Sequence, residues 1–285
     1  MVCLWGDFGM MAMMKAVAQQ QGSSPFNDDY RDACIASGAV GLWMLDETSG
    51  TVAVDQGTAG VDGTYLGDMA TSSARGVRSA FNIPLAGVAA ADSGTSGNGF
   101  LGGVIEVPAD FAFTTELQVV NGAMSYEFVS VKDYNVTASQ FWLKNYRGGI
   151  TAYTGPLQYI KEDNDNNTSQ TSWKYEHATQ AGVIYPTYGS CAKQTPGVAS
   201  HNVVTFDTGA NYLRWYRNGV RIMNQYASYY SKINGSTAPI YIGNANNSSS
   251  YWPTYGAQGA IGGVAIYDFA LSQTEVTTHY NALLT

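Results

Sequence analysis

The chain has 285 residues and a mass of 30.5 kDa, which suits one large all-β domain or two ordinary ones. Hydrophobic residues make up 45% and charged residues only 13%, so a sizeable core is available and the surface rests on Asn, Ser, Thr, Gln, Gly and the 20 tyrosines. A net charge of −8 without any basic stripe argues against nucleic acid as a partner, and no apolar run is long and unbroken enough for membrane insertion.

Residues 1–18 are apolar, yet no basic region precedes them, Asp7 interrupts them, and Lys15 follows the Met run. They read as an uncleaved arm that buries Leu4, Trp5, Phe8, Met10, Met11 and Met14 on its own domain or on a neighbour. Helix-forming residues span Met10 to Gln21, and Gly22-Ser23-Ser24-Pro25 breaks that run. A short helix is expected from Asn27 to Ile35, with Asn27 as cap, acids in the first turn, and Ser37-Gly38 as the stop. Residues 1–36 are thus a docking or oligomer-contact segment, and residues 37–285 form the globular domain.

That domain opens with a buried strand, Ala39 to Leu45, a turn at Asp46-Glu47-Thr48-Ser49-Gly50, a short strand at Thr51–Val54, and a tight turn at Asp62-Gly63. Residues 86–103 are rich in Gly, Ala and Ser and read as a long loop; its glycines open no helix, so they form no phosphate loop. Val104–Pro108 is a strand ended by proline. From Met124 to Lys132 the residues alternate, with Met124, Tyr126 and Phe128 on one face. Strands follow at Gln140–Lys144 and Gly149–Tyr153, then a polar turn at Lys161–Ser169, then strands at Ser172–His177 and Val183–Tyr188. The last 85 residues are the most regular. They give a strand from Asn202, a hairpin turning at Asn218-Gly219, strands at Ile240–Gly243 and Gly259–Asp268, and a helix with the capping box Ser272-Gln273-Thr274-Glu275. Val276, His279, Tyr280 and Leu283 line one face of that helix. Many short strands with Gly-rich turns and no internal repeat point to a β-sandwich or jelly roll.

Two blocks carry a resemblance. One is Val40-Gly41-Leu42-Trp43-Met44-Leu45-Asp46-Glu47-Thr48-Ser49-Gly50 with Val54-Asp55 and Asp62-Gly63; the other is the run from His201 to Thr285. Both are similar to laminin-G-like domains of the concanavalin A-type lectin/glucanase superfamily. The resemblance implies an all-β, antiparallel β-sandwich of concanavalin A-like jelly-roll type, here with an N-terminal arm and a short C-terminal helix. The order Tyr30-Arg31-Asp32 followed by Ala39-Val40-Gly41-Leu42-Trp43 also resembles laminin-G-like domains of bacteriophage virion proteins. That implies a non-enzymatic structural role as capsid decoration or as a tail or fibre component. The partners would be other virion proteins and further copies of the chain, with assembly in the host cytoplasm and exposure on the particle. The alternative is a carbohydrate-binding module or extracellular adhesin for host surface glycans. A glycoside hydrolase is a third reading.

Each reading makes its own demands on the residues. Glycoside hydrolysis needs two carboxyl groups flanking the scissile bond, but Glu127 sits alone in Tyr126-Glu127-Phe128, and the next acid is Asp133. The expectation is no catalytic residue. Calcium is the candidate ion: Asp163, Asp165 and Asn167 alternate and offer hard oxygen ligands, though the EF-hand glycine and final Glu are missing and a solvated Asn/Asp turn accounts for them. Sugar binding would use Asn246, Tyr251, Trp252 and Tyr255, aromatic and amide groups in a Ser/Asn-rich loop. His177, His201 and His279 lack HExxH spacing, and His201 and His279 read as structural. Cys3, Cys34 and Cys191 form no CxxC and read as buried or free thiols, with a Cys34–Cys191 or Cys3–Cys34 pair left open.

Overall fold

The computed structural model describes residues 28–47, 50–66, 123–132, 198–207, 209–210, 212–226 and 259–285, with the strand segments 86–87, 104–107, 140–145, 158–163, 170–178, 184–192 and 240–242. The apolar arm, the Met10–Gln21 helix, most of the 86–103 loop and the Gly149–Tyr153 strand lie outside these residues.

Helix α1 (Asp28–Ala36) leads into strands β1 (Gly41–Trp43), β2 (Val52–Ala53), β3 (Gly63–Leu66) and β4 (Ala86–Gly87). Next come β5 (Val104–Val107), β6 (Ala123–Lys132), β7 (Gln140–Asn145), β8 (Gln158–Asp163), β9 (Gln170–Ala178) and β10 (Ile184–Ala192). The C-terminal part supplies β11 (Ala199–Asp207), β12 (Tyr212–Arg217), β13 (Val220–Tyr226), β14 (Ile240–Ile242), β15 (Gly259–Tyr267) and helix α2 (Gln273–Ala282). The strands form two antiparallel sheets. One runs β1-β15-β6-β11-β12-β13, with β4 also paired to β15; the other runs β10-β9-β8-β7-β14-β5-β3-β2. The expected β-sandwich is therefore the fold. Its last strand lies between two strands from far earlier in the chain, β1 and β6.

Side-chain alternation gives the first sheet two different faces. Met124, Tyr126 and Phe128 of β6, Val204 and Phe206 of β11, and Leu213 and Trp215 of β12 point inward. There they pack with Ala53, Tyr65 and Ile242 of the second sheet. The opposite face is not left to solvent. Val129, Val203, Tyr216, Ala265 and Tyr267 bury against Tyr30 and Cys34 of α1 and against Val276 and Leu283 around α2. The molecule is three layers deep here: sheet, sheet, helix pair. Burying each such large apolar side chain contributes roughly 1.5–3 kcal/mol.

One residue of slack makes this possible in β15. The ladder with β6 shifts register between Gly262 and Ala265. Ile261, Val264 and Ile266 therefore all reach the inner core, while Ala265 and Tyr267 face the helices. Gly263 sits in the bulge at φ 55°. An added Cβ there would lie 2.7 Å from Tyr30 Cε1. The Tyr30 hydroxyl instead donates to the Gly263 carbonyl at 3.0 Å.

The N-terminal acidic motif turns out to be a backbone clasp. Asp55 Oδ1 accepts from the amides of Leu42 and Gly57, and its Oδ2 accepts from Val61, each at 2.8 Å. Glu47 accepts from the Val54 amide at 2.7 Å and from the Tyr65 hydroxyl at 2.6 Å. Two expectations need correction. Asp62-Gly63 makes no hairpin turn: Gly63 already opens β3, and Asp62 Oδ1 takes the Asp55 amide at 2.9 Å. The expected turn at Lys161–Ser169 does not include its first three residues, because Lys161, Glu162 and Asp163 complete β8 and pair with Lys174, Trp173 and Ser172 of β9; residues 164–169 lie outside the described residues. Ladder pairing overrides their polar composition. The hairpin at Asn218 (φ 50°) and Gly219 (φ 75°) and the Ser272–Glu275 capping box both form as expected.

Candidate functional site

Among the described residues, the densest group of ionisable side chains lies under the helix pair, on the outward face of β6. Glu127 projects there because its neighbours Tyr126 and Phe128 project into the sandwich. His201 reaches it from the adjacent strand β11, and His279 from α2. Glu127 Oε1 lies 2.6 Å from His201 Nε2, and Oε2 lies 2.8 Å from His279 Nδ1. The Tyr267 hydroxyl also donates to Oε2, at 3.0 Å. All three ion-paired side chains are fully buried.

The surroundings fix each ring. His279 Nε2 pairs with Ser37 Oγ at 2.8 Å, just beyond the end of α1, and its ring stacks near Tyr267. His201 lies between Tyr30, edge-on, and Tyr280, stacked. Its Nδ1 is buried and has no hydrogen-bond partner among the described residues, and its contact with Glu127 is made through Nε2. The His201 backbone exchanges bonds with Asn218, which ties the β12–β13 turn to the same spot. Gln273 then holds the Gly219 carbonyl at 2.7 Å from α2.

Burial would push the Glu127 carboxyl upward, but the charges of and hydrogen bonds from His279 and His201 outweigh it and hold the group well below the usual carboxylate range. For His279, burial pulls downward, yet the facing Glu127 carboxylate raises its pKa overall. Cys34 and Tyr267 are raised by burial first and by the Glu127 charge second, so both stay protonated. The site holds a carboxylate balanced by imidazole and ringed by neutral donors.

Cys34, Glu127 and His279 also bring three ligand-type atoms within 4.8 Å of one another. Ligands on bonds near 2.0 Å in a tetrahedral metal site lie about 3.3 Å apart. The contacts at 2.6 and 2.8 Å are hydrogen-bond distances. The group also lacks the features of a glycosidase site: it contains one carboxyl, both of its oxygens are engaged, and no solvent reaches it. What the arrangement does is clamp both helices to the back of the sheet.

Glu127, alone in its stretch of sequence, is thus not alone in space. His201 and His279 are structural, as their positions suggested, but as partners of one acid. The sequence signal for this was a charged residue in the middle of an aromatic, alternating strand, which demands a partner once both faces are covered. Cys34 is a free, buried thiol, so neither disulfide pairing forms. The calcium candidates Asp165 and Asn167 lie outside the described residues, and Asp163 ends β8. Asn246, Tyr251, Trp252 and Tyr255 also lie outside them, as do Leu4, Trp5, Phe8, Met10, Met11 and Met14.

Residues 158–277 match the model of Laminin_G_3, a family of the concanavalin A-like lectin/glucanases superfamily. That stretch, under half of the chain, is similar to the family, and the antiparallel β-sandwich that contains it is the fold of the described residues. No curated protein sequence matches it. Among solved structures, the receptor-binding domain of a botulinum neurotoxin C/D mosaic serotype superimposes with a TM-score of 0.57 at 11% identity, over 87% of this chain and 52% of that one. A structure of botulinum neurotoxin type C, whose cell entry depends on interaction with two ganglioside molecules, gives 0.57 at 13% identity, over 88% and 53%. Trypanosoma rangeli sialidase, bound to 2,3-difluorosialic acid, gives 0.56 at 15% identity, over 95% and 39%. The chain spans about half the length of the toxin domains it matches and less of the sialidase.

Proposed function

We propose that the chain is a non-enzymatic recognition module that binds glycans on its lectin-like sandwich. The observation that carries this reading is the two-sheet architecture itself, shared with toxin receptor-binding domains that include one dependent on gangliosides for cell entry. The non-enzymatic half of the reading draws support from the carboxylates. Glu127 is sealed and neutralised by His201 and His279, while Glu47, Asp55 and Asp62 hold backbone amides. Binding is assigned to the Ser/Asn-rich loop with Asn246, Tyr251, Trp252 and Tyr255, and Asp163, Asp165 and Asn167 are its calcium candidates. The test is a glycan array read with calcium and with chelator, using the native protein and Trp252→Ala. Reproducible binding to a defined glycan supports the reading; a blank array overturns it.

A second reading makes this module the displayed part of a bacteriophage virion protein that docks through its apolar arm. The low charge content and the Met-rich residues 1–18 support it. A chain lacking residues 1–26 should then fold but fail to enter particles; undiminished incorporation would refute the docking role.

A further inference from the structure

We infer a neutral-sugar subsite on the outward face of the β11–β12–β13 edge, built from Tyr226, Tyr212, Arg214, Asn224 and Asp207. The inference rests on the glycan-binding reading and adds to it a second place and a ligand class. Register puts these side chains together: Asp207 pairs with Tyr212, Tyr212 with Tyr226, and Arg214 with Asn224. Leu213 and Trp215, between them on β12, point into the core, so this set faces away from it.

Three observations distinguish the patch from ordinary surface. Tyr226 is 56% exposed, the one aromatic above a third exposed among the residues whose side chains are described. It meets Tyr212 in a T-shaped contact, ring centres 5.4 Å apart at 68°, which orients the exposed ring. The Arg214 guanidinium lies over the other tyrosine, 5.2 Å from the Tyr212 ring centre. That contact orients a side chain that makes no hydrogen bond among the described residues. Arg214 Nη1 and Asp207 Oδ2 stand 3.9 Å apart, too far for a hydrogen bond between them. Asp207 Oδ1 is engaged by the Ala210 amide at 3.0 Å, which fixes the carboxylate and leaves Oδ2 as acceptor.

An exposed, oriented aromatic ring beside a fixed donor and a fixed acceptor suits a pyranose. The C–H face of the sugar stacks on Tyr226. One hydroxyl accepts from Arg214, a neighbouring hydroxyl donates to Asp207, and the Asn224 amide can serve either. Arg214 and Asp207 face each other as a balanced pair, so the patch offers no surplus positive charge for an acidic sugar and is assigned to a neutral one.

The experiment screens the full chain on an array of neutral hexose and N-acetylhexosamine oligosaccharides with their sialylated counterparts. The best neutral hit is then titrated into native protein, Tyr226→Ala, Arg214→Ala, Trp252→Ala and Val52→Thr. The expected result is at least about a tenfold weaker Kd for the Tyr226 and Arg214 variants, while Val52→Thr, at an exposed position of the other sheet, binds as the native protein does. In the native protein, the same glycan should protect Tyr226 from nitration, read by peptide mass spectrometry, which keeps the test open if a variant misfolds. Affinity unchanged in both edge variants but lost in Trp252→Ala, or no protection of Tyr226, would overturn the subsite while leaving the glycan reading standing. Preference for sialylated glycans alone would overturn the neutral-sugar assignment. No glycan bound at all would remove both.

Discussion

Glu127 carries the strongest electrostatic coupling described in this molecule, and its consequences can be read against pH. Its folded pKa is depressed, so the stability it adds is complete above the ordinary carboxylate value of 4.5 and fades as pH falls toward the folded value. His279 is raised, so its contribution is complete below 6.5 and is lost as pH rises through the folded value. Both act in full between 4.5 and 6.5. Urea unfolding across pH should show maximal stability in that interval and a decline on its alkaline side. Glu127→Ala should cost about 3–5 kcal/mol within the interval, because it strands two buried imidazoles. It should also flatten the alkaline decline, since His279 then loses the charge that raises it. An unaltered pH profile in the variant would disprove the coupling.

At the scale of elements, the bulge in β15 decides whether α1 can seat. Gly263 combines a positive φ with a close approach of the Tyr30 ring, whereas Gly50 has φ 93° and nothing within 4 Å of an added Cβ. Alanine at Gly50 therefore meets only the backbone penalty, about 1–3 kcal/mol. Gly263→Ala should meet that penalty and also displace Tyr30 and its bond to the Gly263 carbonyl. It should destabilise clearly more than Gly50→Ala in chemical denaturation and raise amide hydrogen exchange across Asp28–Ala36. Equal losses in the two variants, with α1 protection intact, would mean that the bulge does not set the helix position.

At the scale of the whole molecule, the helix layer divides the N-terminal segment. Tyr30, Cys34 and Ser37 belong to the packing around Glu127, so α1 is built into this chain's own sandwich. A protein lacking residues 1–26 should keep the melting temperature of the full chain. One lacking residues 1–36 should lose several degrees at least, since it bares Tyr267 and the buried carboxylate to water. Matching melting curves for the two truncations would contradict the three-layer account.

Local chemistry was legible from the residues alone. The inward face of β6 followed from alternation, the Asn218-Gly219 hairpin from its need for positive φ, and the α2 start from its capping box. Each depends on neighbours within a few positions. The site was a different matter. His201 and His279 lie 74 and 152 positions from Glu127, and no local pattern states that separation. Lys161–Asp163 likewise read as a turn until pairing with β9 made them strand. Sequence by itself determined which residues alternate, turn and cap, and hence the sandwich. Only the tertiary structure decided that the outward face of the first sheet around Glu127 is covered by helices. That covering removes water from Glu127, and with water gone the carboxylate must take both imidazoles as partners.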